Sequence, residues 1–155
     1  MSVETPPPKP VVVAIDGSDE SVAALAWAAG RAAGAGERLR VVTSYQHPFP
    51  PTEVAGEYWR ELLAAKRSAR LRAEAAIADV LGHTDVDHVL HLGPVERVLV
   101  GMSRQASLLV VGSRPSTTWW SRLRGSIADR IKDAAVCPVV SVPIESSVAP
   151  QPVAA

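Results

Sequence analysis

The sequence predicts an α/β domain in which a five-stranded parallel sheet, doubly wound, carries helices on both faces. Two observations support this: five short β-branched runs alternate with four helical patterns, and the first, fourth and fifth runs are almost continuously apolar. Such alternation favours right-handed crossovers between parallel strands, and continuous apolar runs are typical of strands covered on both faces. The 155 residues suffice for one domain with a sizeable core.

The predicted strands occupy the middle of the chain, between two segments that cannot pack. The strands are residues 11–15, 39–45, 86–92, 107–111 and 138–142. The N-terminal MSVETPPPKP and the C-terminal SSVAPQPVAA are polar and rich in proline, which is typical of mobile termini. We therefore expect disordered tails at residues 1–9 and 144–155, and one folded domain over residues 10–143.

The first two predicted helices separate the first three strands. One begins after Ser18, a good N-cap that is followed by two acidic residues, and Gly34 and Gly36 mark its end. The other spans roughly residues 53–81, with apolar residues on one face and arginines alternating with acids on the other. The charged face is predicted to be solvated.

The last two predicted helices are shorter. The third follows Gly93, with Pro94 as its first helical residue and a buried stripe that includes Leu99. The fourth begins at Ser126 and is expected to bury three residues, Ile127, Ile131 and Ala134.

The sheet also predicts where a ligand binds. In the common doubly wound orders of five strands, the winding reverses beside the first strand, and ligands bind outside the carboxyl ends of the strands at that reversal. If the first and fourth strands are neighbours there, two strand ends face each other across a cleft. These ends are Asp16-Gly17-Ser18 and Gly112-Ser113-Arg114.

The segment VVGSRPSTTWWSRLRGS, residues 110–126, has the composition of a phosphate-binding loop. Gly112, Gly125 and Ser126 allow close backbone approach, and the start of a helix offers positive partial charge. The alternative is a simple connection whose glycines only turn corners, and the residue types do not decide between the two. Pro115 lies inside the segment and has no backbone N–H to donate to a phosphate.

Three side chains near this cleft have alternative interpretations. Asp16 is predicted to contact ribose hydroxyls or a metal-bound phosphate, and the alternative is that it caps the helix near Ser18. One of Trp119 and Trp120 is expected to staple the loop onto the following helix. The other is left open between covering a base and contacting a partner.

Composition and motifs argue against several classes of function. Sixteen basic residues balance sixteen acidic ones, so there is no electrostatic reason to expect a nucleic-acid or anionic-membrane partner. The chain contains neither G-x-x-x-x-G-K-[ST] nor a G-x-G-x-x-G after the first strand, and its four histidines have no metal-ligand spacing with Cys137. We predict no catalytic residues and no metal site.

The cytoplasm is the expected location. No apolar run reaches membrane-spanning length, and the N-terminus lacks the pattern of a signal peptide. The single cysteine, Cys137, excludes an internal disulfide framework and fits a reducing compartment.

Four segments of the chain resemble the universal stress protein family. They are VVVAIDGSDES, LRVVTSYQ, HLGPVERVLVGMSRQASLLVVGSR and GSIADRIKDAAVCPVVSV, and the resemblance extends over residues 10–143. It implies a Rossmann-like fold of the adenine nucleotide alpha hydrolase type, with strand order 3-2-1-4-5, in a homodimer that acts in stress adaptation.

The resemblance also implies a nucleotide site. One branch of the family binds ATP through a glycine, two residues, a glycine, nine residues, then glycine and serine or threonine. Here Pro115 stands at the second glycine of that pattern, and Ser44 falls where the second strand meets the adenine. The implied ligand is ATP, which can bring Mg²⁺, and the implied site residues are Asp16, Ser44, Gly112, Gly125 and Ser126. With Pro115 in the loop, we expect the backbone N–H groups near Ser113, Gly125, Ser126 and Ile127 to donate to the phosphates, and Arg114, Arg122 or Arg124 to supply positive charge.

The main hypothesis is a stress-response protein that binds an adenine nucleotide weakly, with little or no turnover. Loss of the N–H at Pro115 removes one hydrogen bond to a phosphate, which lowers affinity about tenfold to a hundredfold. The alternative is a nucleotide-free dimeric interaction protein. The fifth strand, residues 138–142, is the expected dimer interface, since an uncovered apolar edge strand is prone to aggregation. An unknown signalling partner is also expected.

Overall fold

The computed structural model describes residues 3–47, 55–83, 85–113 and 127–144, and within these ranges strands and helices alternate. The strands are β1 (Val11–Ala14), β2 (Leu39–Tyr45), β3 (Asp87–Leu92), β4 (Leu108–Ser113) and β5 (Val139–Pro143). The helices are α1 (Asp19–Ala35), α2 (Ala55–Leu81), α3 (Val95–Met102) and α4 (Ile127–Ala134). No helix in these ranges has the length and apolar character needed to cross a membrane.

The five strands are parallel and lie in the predicted order, β3-β2-β1-β4-β5. In the central strand, Val13 pairs with Val41 of β2 on one side and with Val110 of β4 on the other. The winding therefore reverses between β1 and β4, and β3 and β5 form the two edges. The predicted doubly wound α/β fold is confirmed.

One face of the sheet is covered by α1 and α2, and we call it the α1–α2 face. Val11 and Val13 of β1 point to this side, where they are fully buried. Leu25 of α1 and Ile77 of α2 pack in the same hydrophobic cluster. Alternate residues of a strand point to opposite faces, so the residues between them belong to the other side.

The opposite face, which we call the α3–α4 face, carries a smaller cluster. Val12 of β1 and Leu109 of β4 pack here with Leu99 of α3 and Ile131 of α4. The two helices on this side have eight residues each, whereas α1 has 17 and α2 has 27. The two faces are thus covered by helices of very different length.

The boundaries of α1 and α3 follow the predicted caps with two differences. The Ser18 hydroxyl accepts from the N–H of Ser21, and Gly36 ends α1 in the left-handed conformation at φ 66°. Gly34 lies inside the helix rather than at its end. Pro94 is the N-cap of α3 rather than its first helical residue.

The buried face of α4 also differs from the prediction. Ile131 is fully buried as expected, but Ile127 is 46% exposed and Ala134 is exposed as well. Ala128 is buried instead. Positions 127 and 131 lie within about 40° of each other around the helix axis, so the exposure of Ile127 comes from its place in the first turn of the helix and not from the side that it faces. The predicted start of this helix at Ser126 lies outside the described residues.

Candidate functional site

A cleft of about 340 Å³ lies at the carboxyl edge of the sheet, where β1 and β4 are neighbours. The loop after β1, parts of β2 and β4, and residues of α3 and α4 line it. We call it the switch-point cleft, because it lies where the winding of the sheet reverses. Its position is the one in which open α/β sheets bind their ligands.

Four of the eight predicted site residues line the switch-point cleft: Asp16, Ser44, Gly112 and Ile127. Ser113 follows Gly112 as the last residue of β4. The other predicted positions, Arg114, Gly125 and Ser126, lie outside the described residues, as do Pro115, Trp119 and Trp120. The phosphate-binding role of the segment that contains them therefore stays a prediction.

The loop after β1 is held by a compact set of hydrogen bonds. Asp16 Oδ1 accepts from the N–H of Ser18 at 2.9 Å. The Ser21 hydroxyl accepts from the N–H groups of Asp16 at 3.3 Å and Gly17 at 3.2 Å, and it donates to the Ser18 carbonyl at 2.9 Å. The Asp16 carboxylate therefore closes the turn before α1. This is the helix-capping role that the sequence analysis gave as the alternative to a ligand contact.

Gly17 fixes the conformation of this loop against α2. Its φ of 89° lies in a region that other residues rarely adopt. A Cβ at this position would also lie 3.0 Å from the Cβ of Arg72 in α2. The loop of the switch-point cleft and the middle of α2 are therefore in direct contact.

The Asp16 carboxylate is ionised at neutral pH. Partial burial by itself would raise the pKa of this group, but hydrogen bonds from Ser18 and Ser21 outweigh that effect and hold the pKa below its usual value. Glu20 lines the same cleft. Among the described lining residues, the charged side chains are these two acids.

Gly112 is required by the packing of α1 on β4. A Cβ at this position would lie 2.5 Å from both the carbonyl carbon and the carbonyl oxygen of Glu20, and 2.8 Å from its Cβ. Backbone atoms of a helix cannot move aside as the end of a flexible side chain can. From the sequence we expected a glycine here so that a phosphate could approach the backbone closely. In the structure, the group that lies close to Gly112 is the backbone of α1.

A second cavity of about 580 Å³ adjoins the switch-point cleft and shares Ser44 and Val95 with it. We call it the α2 cavity, because one face of α2 forms much of its wall. Its other lining residues are Tyr45, Gln46, Glu61, Ala64, Ala65, Ser68, Ala69, Arg72 and Gly93. Sequence reasoning missed Arg72, because an arginine on the polar face of a long helix is typical of a solvated surface.

The described residues offer no ready metal centre. No group of three or more His, Cys, Asp or Glu side chains within residues 3–47, 55–83, 85–113 and 127–144 is arranged to hold a metal ion. The site consists of an apolar wall, including Val42, Val111 and Ile127, with hydroxyl and carboxylate groups around it. Such an arrangement suits a ligand that joins a flat apolar ring to a group with hydroxyls.

Comparisons with known proteins agree on one family. Residues 8–143 match the model of the Universal stress protein family. The chain is 32% identical over 136 residues to Universal stress protein Rv2624c of Mycobacterium tuberculosis, across 86% of this chain and 48% of the relative. It is 33% identical over 139 residues to a universal stress protein of Thermus aquaticus, across 86% of this chain and 98% of the relative. The chain thus spans about half the length of the first relative and nearly all of the second.

A solved structure is similar in both sequence and fold. The crystal structure of a universal stress protein in complex with cAMP is 29% identical to this chain, with a TM-score of 0.59. The likeness covers 86% of this chain and 96% of that one.

Proposed function

The chain belongs to the universal stress protein family, and from this premise we propose that it is a cytoplasmic binding protein that holds an adenine nucleotide in the switch-point cleft. One observation carries the proposal: Asp16, Ser44, Gly112 and Ile127, which are distant in sequence, lie around one cleft at the reversal of the sheet. The similar protein in complex with cAMP supports an adenine nucleotide as the ligand.

The described side chains account for the adenosine part of such a ligand. Val42, Val111 and Ile127 provide apolar contact for the adenine, and Ile127 is 46% exposed without it. The ionised Asp16 accepts hydrogen bonds from the ribose hydroxyls, and bonds of this kind are stronger than those between neutral groups. Ser44 lies at the edge of the cleft next to the α2 cavity.

The charge of the cleft determines which nucleotides bind best. Asp16 and Glu20 repel phosphate groups, and no basic side chain lines the cleft among the described residues. A nucleotide with one phosphate is therefore expected to bind more tightly than ATP alone. ATP requires Mg²⁺, or the arginines at positions 114, 122 and 124 that lie outside the described residues, to compensate its charge.

The alternative function is a nucleotide-free dimeric interaction protein. One observation favours it: the packing of α1 explains Gly112 without any ligand. Under either function we propose a homodimer through β5, which lies at the edge of the sheet with Val140 and Val142 buried against the core. Sedimentation equilibrium tests this interface, and a monomer at micromolar concentration would contradict it.

Calorimetry with cAMP, AMP and ATP, the last with and without Mg²⁺, tests nucleotide binding. We expect wild-type binding that Asp16→Asn weakens about tenfold, because the charge-assisted contact to ribose is lost. Asp19→Asn, an exposed carboxylate in the first turn of α1, is the matched control. If neither the wild type nor Pro115→Gly binds any of these nucleotides, the alternative function is correct.

Two further variants address the segment around Pro115. Pro115→Gly restores an N–H donor and is expected to tighten binding, whereas Gly125→Val is expected to abolish it. Overnight incubation with labelled ATP tests the expectation that the protein binds without turnover. Release of phosphate well above that in buffer would contradict it.

A further inference from the structure

We propose that the α2 cavity is a second subsite of the nucleotide site, so that the preferred ligand is an adenine dinucleotide. One nucleoside would occupy the switch-point cleft, and the phosphate-linked second nucleoside would occupy the α2 cavity. This inference rests on the proposed function of the switch-point cleft.

The two spaces are adjacent, and each has room for a nucleoside. The switch-point cleft has about 340 Å³ and the α2 cavity about 580 Å³, and they share the lining residues Ser44 and Val95. Small-molecule sites in proteins have volumes of about 300–1,000 Å³. A nucleoside in the first space therefore has room beside it for a second group of similar size.

The lining of the α2 cavity suits a flat ring with polar edges. Ala64, Ala65 and Ala69 form an apolar wall along one side of α2, and small side chains leave room for a ring to lie close to the helix. Gln46 and Ser68 add groups that can donate and accept hydrogen bonds. A mostly apolar wall with a few polar groups is typical of ligand sites.

Arg72 lines the α2 cavity and contacts the loop that borders the switch-point cleft. Its Cβ is next to Gly17 in the loop of the switch-point cleft, and its side chain lines the α2 cavity. Its Nη1 donates to the Ser68 hydroxyl at 2.7 Å, which orients the guanidinium. Among the described residues that line the two spaces, Arg72 has the one basic side chain.

The charges favour a bridging phosphate at Arg72. An arginine binds phosphate oxygens with two parallel hydrogen bonds. Here the positive charge of Arg72 attracts a phosphate group, whereas the negative charges of Asp16 and Glu20 repel it. Glu61 is the acidic side chain in the described lining of the α2 cavity, and its Oε2 lies 2.9 Å from His47 Nε2. The carboxylate of Glu61 is thus paired with His47.

Calorimetry with AMP and with diadenosine pyrophosphate tests the second subsite. We expect the dinucleotide to bind the wild type at least about tenfold more tightly than AMP, and Arg72→Gln to weaken both ligands, because each of them places a phosphate at Arg72. Ala65→Leu, which narrows the α2 cavity, should remove most of the gain of the dinucleotide while AMP binding changes less than about twofold. Arg67→Gln removes another exposed arginine of α2 that lines neither space, and it serves as the control.

The outcomes separate the second subsite from the proposed function. Equal affinity of the wild type for AMP and the dinucleotide, or an equal loss of both in Ala65→Leu, overturns the second subsite and leaves nucleotide binding in the switch-point cleft intact. Failure of the wild type and Pro115→Gly to bind the dinucleotide, cAMP, AMP and ATP overturns both proposals. Unchanged melting temperatures of the variants show that the losses do not come from unfolding.

Discussion

On the α1–α2 face, long helices cover the sheet, whereas on the α3–α4 face the described residues form two short helices that leave part of the sheet uncovered. An eight-residue helix is about 12 Å long, while the seven residues of β2 extend about 23 Å. α2, with 27 residues, is about 40 Å long. Helices this short cannot cover the full length of β2, and among residues 3–47, 55–83, 85–113 and 127–144 the uncovered part of the sheet lies at the carboxyl ends of the strands.

The switch-point cleft is the open end of the α3–α4 cluster. Val42, Leu99, Val111 and Ile131 belong to that cluster and also line the cleft. On the other side of the sheet, apolar residues such as Leu25 are enclosed entirely by protein. One face therefore mainly stabilises the fold, and the other combines stabilisation with an accessible apolar surface.

The same substitution on each face tests this difference most strongly. Leu25→Ala in α1 and Leu99→Ala in α3 remove equal volumes at positions that are 0% and 1% exposed. We expect losses in the free energy of unfolding of about 4 kcal/mol for Leu25→Ala and about 2.5 kcal/mol for Leu99→Ala, because a cavity collapses more readily beneath a short helix beside an open cleft. Urea denaturation measures both. Equal losses would mean that the two faces are packed equally tightly.

A methyl group at Gly112 tests the contact that joins α1 to the rim of the cleft. Gly112→Ala is expected to destabilise the fold by about 2–3 kcal/mol, because the new Cβ collides with the backbone of Glu20. Gly30→Ala in α1 is the control, since a Cβ there meets nothing within 4 Å and should stabilise the helix by roughly 0.5–1 kcal/mol. A Gly112→Ala protein as stable as the wild type would show that α1 shifts at little cost.

The ion pair between Glu96 of α3 and Arg130 of α4 links the two short helices. Both side chains are partly exposed, so the pair is expected to contribute only about 0.2–1 kcal/mol to the free energy of unfolding. A double-mutant cycle with Glu96→Gln and Arg130→Gln, at low and high salt, measures the coupling. A coupling well above this range, or one insensitive to salt, would contradict a solvent-screened pair.

The smallest effect concerns His88, which lies on the α1–α2 face and whose Nε2 is 2.9 Å from Thr43 Oγ1. Partial burial lowers the pKa of His88, Arg70 adds to the shift, and Glu74 opposes it. The unfolded chain therefore binds a proton at His88 more readily than the folded protein does. The contribution of neutral His88 to the free energy of unfolding is complete above about pH 6.5, and it is lost as the pH falls toward the lower pKa of the folded state. His88→Gln should flatten this pH dependence in urea denaturation; an unchanged slope would assign it to other groups.

Local sequence signals predicted the elements of the fold closely. The first strand was expected at residues 11–15 and is Val11–Ala14, and the Ser18 N-cap and the end of α1 at Gly36 lie where the residue types favour them. These features depend on hydrophobic periodicity and on hydrogen bonds between residues close in sequence. Helix caps and buried strands can therefore be identified without knowing the rest of the chain.

The candidate site was predicted less completely. Asp16 and Gly112 were expected to face each other because strand ends at a winding reversal do so, and both line the cleft. Both residue types were expected because of a ligand, but the structure gives them other roles. Asp16 closes the turn before α1, and Gly112 leaves room for the backbone of α1. The exposure of Ile127 was also missed, because periodicity identifies the side of a helix that faces the core but not the point along the helix where the core ends.

The sequence by itself determined the class of fold, the succession of strands and helices, and the edge of the sheet where the cleft lies. Only the tertiary structure decided that Gly112 lies against Glu20, that Arg72 lies against Gly17, and that one face of α2 borders a cavity beside the cleft. The physical reason is the range of the interactions. Periodicity and capping act between residues a few positions apart, whereas these contacts join residues tens of positions apart and exist only once the sheet has brought the helices together.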